Sequence, residues 1–255
     1  MIDKEKVLKY FIDDEKDKVV KIIDKINLSY NRDIPVCTNE FYTPKVWSYF
    51  TNNSFGNIEI KANGIFEEAE RRIISIKSNY DMECPISVLK IENKSSFNKL
   101  NHKDYLGAIL SLGIKREKIG DVIVDDSCAY VVCLNDIADY IMYNLSQIAK
   151  SKVEINIIYD LDNLPKISFK EEVVNVASMR IDSIVAKIAN VSRNKSIEML
   201  SSGKVLVNYS QVRDKSIEVK DGMRITIRGE GKFIVGAFIG ETKSGKKKII
   251  IKKYC

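Results

Sequence analysis

Apolar residues recur at helical spacing near the start of the chain: Val7, Leu8, Phe11, Val19, Ile22, Ile23 and Ile26, with acids and lysines between them. That spacing predicts one long amphipathic helix over 3–27. After a loop holding Pro35 and Pro44, the run PKVWSYF predicts a short helix with Pro44 at its first position and Trp47 within it. The segment NIEIKANGIFEEAERRIISIKS then predicts strand, turn at Gly64, short helix and strand. Together these elements form an N-terminal α/β domain over 1–82.

The period then changes to two. ISVLKIE, DVIVDD, AYVVCL and VEINIIY alternate like strands, with a tight Asp-Asp-Ser turn joining the middle pair. A helix over 102–112, ended by Gly113, and a second over 136–150 fall between them. The order β-α-β-β-α-β predicts an RRM-like, ferredoxin-like split βαβ domain over 83–165. Such sheets can stack bases on aromatics of their central strands. Here SCAYVVCL offers Tyr130 alone, without the basic and glycine start of that pattern, so base stacking lacks support.

A third domain spans 173–255. Two helices (180–190 and 192–202) lead to strands around 204–207, 216–219, 223–229, 232–239 and 246–252. TKSGKKKIIIKKY reads as a hairpin with a basic tip at Ser244–Gly245, because its isoleucines suit a strand. The fold class is α+β, in three small domains.

Charge sharpens the picture of this third domain. The chain of 255 residues carries a net +6, yet residues 179–255 hold 17 Lys+Arg against 7 Asp+Glu. The residues ahead of them are slightly acidic, and such asymmetry points to nucleic acid or an anionic surface. Within the second helix, Ser192 is a plausible N-cap and Gly203 the stop. Arg193 and Lys195 then sit in the first turn, against the helix dipole, where an anion would offset the cost. Arg180 and Lys187, seven apart, share a helix face, and Arg213, Arg224 and Arg228 add charge. Lys246, Lys247 and Lys248 follow at the hairpin tip. In the second domain, Lys115, Arg116 and Lys118 follow Gly113 and form a possible second RNA contact.

Other chemistry is thin. His102 and Asp104 stand two apart, and residues so spaced do not face each other on a helix. Arg71 and Arg72, beside Glu68 and Glu70, read as surface charges. The five cysteines are scattered without a CxxC pair, which argues against a zinc site or a disulfide framework and suits idle thiols in a reducing cytoplasm. No nucleophile motif, Gly-rich phosphate loop or metal-ligand cluster is present, so we expect no catalytic residue, metal, cofactor or small-molecule substrate. No apolar run is long enough to span a membrane, and the charged start lacks a secretory h-region.

The run R-I-D…SRNKSIEMLSSGKVLVN…VKDGMRITIRG is similar to the S-four RNA-binding module of ribosomal proteins, tyrosyl-tRNA synthetases and pseudouridine synthases. The resemblance implies that Arg180 and Arg193 face RNA; Lys204 matches the lysine after the helix-ending glycine, and Val205 to Asn208 the V-x-V-N step. Two positions depart from the pattern. Tyr209 replaces the usual glycine, which puts the tight turn in question, and Gly222–Met223 replaces Gly-Asp. Upstream, NGIFEEAERR (63–72) and KLNHKDYLGAILSLGIKREKIGDVIV (99–124) resemble the bacterial YlmH family, as do GEGKF (229–233) and the lysine-rich end. That resemblance implies a cytoplasmic, non-catalytic factor that binds rRNA and tRNA on stalled large ribosomal subunits still carrying peptidyl-tRNA. A monomer is expected. The alternatives are an RNA-modifying enzyme and a scaffold linked to cell division, each anchored by the RNA-binding domain.

Overall fold

The computed structural model describes residues 2–66, 68–77, 82–162, 164–165 and 169–254. The expected N-terminal helix is two helices, α1 (Lys4–Leu8) and α2 (Asp13–Arg32). Ile12 is extended between them, and Asp13 opens α2, where the helix dipole favours an acid. Val7 and Phe11 still share a core with Val19, Ile22 and Ile26, so the apolar stripe continues across the break.

β1 (Val36–Cys37), α3 (Pro44–Asn52), β2 (Glu59–Asn63) and β3 (Ile73–Lys77) follow, and the strands form an antiparallel sheet ordered β1-β3-β2. The short helix expected between β2 and β3 is absent among the described residues of 64–72. The chain closes tightly on itself instead: a Cβ at Gly64 would stand 2.5 Å from that of Ala69. Arg71 and Arg72 are also not surface charges. Arg71 Nε donates to Ile119 O (3.3 Å), and Arg72 Nε donates to Ala69 O (2.9 Å) while its guanidinium lies 4.7 Å from the Trp47 ring centroid.

Next come β4 (Ile86–Asn93), α4 (His102–Ser111), β5 (Ile119–Asp125), β6 (Cys128–Leu134), α5 (Asn135–Asn144), β7 (Gln147–Ile148) and β8 (Ser151–Ile158). All neighbours in the order β5-β6-β4-β8-β7 are antiparallel, which is the split βαβ arrangement with one short strand added. That strand replaces the last turns of the helix expected to reach Lys150. Leu145 is extended and Ala149 adopts φ 50°, which turns the chain back without a glycine.

Leu89, Ile91, Ala129 and Val131 pack under Tyr105, Ile109, Ala138 and Ile141 of the two helices. On the sheet's other face Val132 and Leu134 are buried against Phe41, Phe66 and Ile73, with Tyr130 half-buried beside them. Gly120 permits this approach, because a Cβ there would meet Phe41 Cε1 and Val132 at 3.0 Å. Backbone polar groups join in: Phe41 N–H donates to Glu117 O at 2.7 Å. The first two expected domains therefore lie within one compact unit, residues 1–166.

Residues 167–255 form the other unit. It contains β9 (Phe169–Val176), α6 (Ile181–Ile188), α7 (Arg193–Ser201), β10 (Val205–Val207), β11 (Ser210–Gln211), β12 (Arg224–Ile227), β13 (Gly231–Glu241) and β14 (Lys247–Tyr254). The sheet runs β11-β10-β12-β13-β14-β9, antiparallel throughout. β9 starts ahead of the expected boundary at 173, and pairs along β14 from Phe169↔Tyr254 to Val176↔Lys247. The strand expected at 216–219 reduces to a single bridge between Glu218 and Arg180. The tight turn after β10 does form, with Asn208 (φ 46°) and Tyr209 (φ 66°) both left-handed. Ile181, Ile184, Val185 and Leu200 of the helices are buried on Val205, Ile225, Val235 and Ile249 of the sheet. No helix among the described residues is long and apolar enough to cross a membrane.

Candidate nucleic-acid interface

The first turns of α6 and α7 meet at one carboxylate. Asp182 is buried, its side chain 1% exposed, whereas those of Arg180 and Arg193 are 39% and 56% exposed. Arg180 Nε donates to Asp182 Oδ1 (3.2 Å) and its Nη2 to Oδ2 (3.3 Å). Arg193 gives Nε (3.0 Å) and Nη2 (2.9 Å) to Oδ2, and the Ser183 N–H gives a further bond to Oδ1 (2.9 Å). Burial would by itself raise the Asp182 pKa. The hydrogen bonds from Arg180 and Arg193 outweigh it and hold the carboxyl below its ordinary value. Two cations thus share one anion, and the surplus positive charge faces solvent.

Ser196 completes the junction. Its buried hydroxyl lies 2.8 Å from Asp182 O and 2.7 Å from Arg193 O, tying the start of α7 to that of α6. Neither Asp182 nor Ser196 stood out as a site residue in the sequence, although the aspartate of R-I-D was the available signal. Ser192 caps α7 as expected, accepting the Lys195 N–H at 3.2 Å. Lys195 Nζ itself pairs with Glu198 at 2.8 Å on the exposed surface.

The sheet register sorts the remaining cations into two groups. Val176, four residues before Arg180, is paired with Lys247. Four residues of chain reach at most about 14 Å, so Arg180 lies within that distance of the strand end where β14 leaves the β13–β14 turn. The hairpin tip closes through Thr242 N–H to Lys246 O (2.8 Å), with Gly245 at φ 74°. Arg180, Arg193, Lys246, Lys247 and Lys248 therefore belong to one end of this sheet. Lys204 and Arg228 belong to the other: Arg228 N–H donates to Lys204 O (2.9 Å), beyond the C-terminal end of α7. The nine residues of α7 separate the two groups by about 13 Å. Lys187 is exposed in the last turn of α6, and Arg213 is exposed in the loop after β11.

The three cations of the first unit behave differently. Arg116 turns inward and donates Nη1 to Ile119 O and Gly120 O. Burial, helped by nearby Arg71, pushes its pKa down to about 10. Lys118 bonds Asp136 (2.6 Å), and Lys115 is exposed. Asp104 is engaged in a capping box with Asn101, accepting its N–H at 2.8 Å, so that carboxylate serves the helix start rather than a relay with His102.

Two family models match this chain. Residues 79–160 match the family model described as "Putative RNA-binding domain in YlmH", and residues 179–225 match the S4 domain. The chain thus carries a YlmH-type RNA-binding domain followed by a C-terminal S4 domain. It is 26% identical over 202 residues, 77% of this chain and 79% of the relative, to ribosome-associated protein quality control protein P2 of Bacillus subtilis (strain 168). A solved structure of cell division protein ylmH from Streptococcus pneumoniae aligns over 61% of this chain and 97% of its own, with a TM-score of 0.47 and 20% identity.

Proposed function

We propose that this chain is a non-catalytic, cytoplasmic RNA-binding factor of the ribosome. It grips structured rRNA or tRNA through phosphate contacts, on large subunits still carrying peptidyl-tRNA after translation stalls. The observation that carries the reading is the arginine pair on buried Asp182, which holds two part-exposed guanidiniums on one carboxylate. Phosphate contacts of this kind position a protein on RNA by shape without reading sequence. The S4 match over 179–225, a range that includes Arg180, Asp182 and Arg193, supports the reading, and the Bacillus relative's name supports the ribosomal setting. Crosslinking in cells followed by sequencing of the bound RNA tests the proposal. Crosslinks concentrated on large-subunit rRNA and tRNA are expected, and crosslinks confined to messenger RNA would overturn it.

A further inference from the structure

The cysteines are not all scattered in space. Cys37, at the end of β1, and Cys84, just before β4, stand 47 residues apart in sequence and 3.1 Å apart at their sulfurs. Cys84 Sγ also accepts from Asn63 Nδ2 (3.2 Å) and from the hydroxyl of buried Ser75. Both cysteines are half-buried. The other two described cysteines lack such a setting. Cys133 is buried, with its thiol pushed up to about 12, and Cys128 donates to Asp125 O at 3.3 Å.

We propose that Cys37 and Cys84 form a redox-active dithiol, oxidised to a disulfide by hydroperoxides and returned by cellular dithiols. Donors converging on Cys84 mark it as the nucleophile. The hydrogen bond from Cys37 is the largest influence lowering its pKa, with Ser75, Asn63 and the charge of Lys77 adding to it. Cys37, facing that sulfur, keeps its proton and is the resolving thiol. In the first step the Cys84 thiolate attacks one oxygen of hydrogen peroxide; the O–O bond breaks, a sulfenic acid forms and hydroxide leaves. In the second, Cys37 sulfur attacks Cys84 sulfur; the S–O bond breaks, the S–S bond forms and hydroxide departs with the Cys37 proton as water. Two electrons pass from the sulfurs to the peroxide, which ends as two waters once the first hydroxide takes up the proton that Cys84 released on ionising. Closing the bond requires the sulfurs to approach to about 2.05 Å, and would staple β1 to the entry of β4.

The test exposes the full chain to equimolar hydrogen peroxide, blocks free thiols with iodoacetamide, and maps peptides without reduction. A linked Cys37–Cys84 peptide that dithiothreitol removes is expected. In Cys37→Ser the reaction should stop at a Cys84 sulfenic acid that dimedone traps, and in Cys84→Ser peroxide consumption should fall about tenfold. Absence of the linked peptide from the oxidised wild-type chain would overturn the proposal. So would equal peroxide reactivity of wild type and Cys84→Ser.

Discussion

The two larger sheets of this chain treat positive charge in opposite ways. In the unit of residues 1–166, Arg71, Arg72 and Arg116 are drawn inward, leaving Arg32 exposed: Arg71 and Arg116 both donate to Ile119 O, and Arg72 lies over Trp47. In the unit of residues 167–255, Arg180 and Arg193 lean on one buried carboxylate and keep much of their surface in water. The difference lies in the acceptor. Backbone carbonyls inside a fold use up guanidinium donors and bury them. A single carboxylate shared by two arginines leaves part of each five-donor fork for another anion. Sheet faces differ in the same sense, since the face on which RRM-type sheets stack bases is here covered at Val132 and Leu134 by the N-terminal layer.

Charge reversal gives the largest expected contrast. Arg180→Glu with Arg193→Glu should weaken binding of a structured rRNA fragment about a hundredfold at low salt, measured by fluorescence anisotropy. An equal loss from Arg116→Ala would break the comparison. Asp182→Ala should act in two ways, lowering RNA affinity about tenfold by releasing both arginines and costing about 1–3 kcal/mol in calorimetry. The partial exposure of both arginines keeps that cost modest.

Acid sensitivity sharpens the same point. The folded pKa of Asp182 lies below its ordinary value of 3.8, so its contribution to stability is complete above that value and fades as pH falls through the lower folded one. Asp182→Asn should therefore flatten the acid-side loss of stability below about pH 4 in pH-resolved melting. Gly120→Val should cost about 1–3 kcal/mol by crowding Phe41 and Val132, while leaving RNA affinity unchanged. Tyr130→Ala is the smallest expected effect, a change in RNA affinity within about twofold. A tenfold loss there would mean that the sheet stacks bases after all.

Much of this was legible in the chain, and the gaps have physical causes. Alternation revealed β4, β5, β6 and β8, and glycine stops revealed the ends of α4 and α7, because those signals are local. The break between α1 and α2 was hidden because Val7, Phe11 and Val19 face one core on both sides of it. Ala149 turns the chain in a left-handed conformation that glycine usually marks, so nothing in composition flagged it; Tyr209 stood out in place of a glycine, yet it adopts the left-handed turn all the same. β9 reads FKEEVVNV, and its charges mask the alternation that Val174 and Val176 carry into the core. In the site, the cations announced themselves by charge, but their organiser Asp182 did not. An acid among basic residues looks like dilution of the patch until its burial is seen. The Cys37–Cys84 contact was hidden in the same way, because sequence separation says nothing of a meeting between β1 and the approach to β4.

The central claim is that the arginine pair on Asp182 supplies phosphate contacts, and the salt dependence of binding tests it most directly. The variant combining Arg180→Gln, Asp182→Asn and Arg193→Gln removes the three charges together while keeping a polar side chain at each position. Its log–log slope of affinity against salt should be shallower than wild type by about 1.4–1.8, the share of two phosphate contacts. An unchanged slope, with the variant folded, would contradict the account.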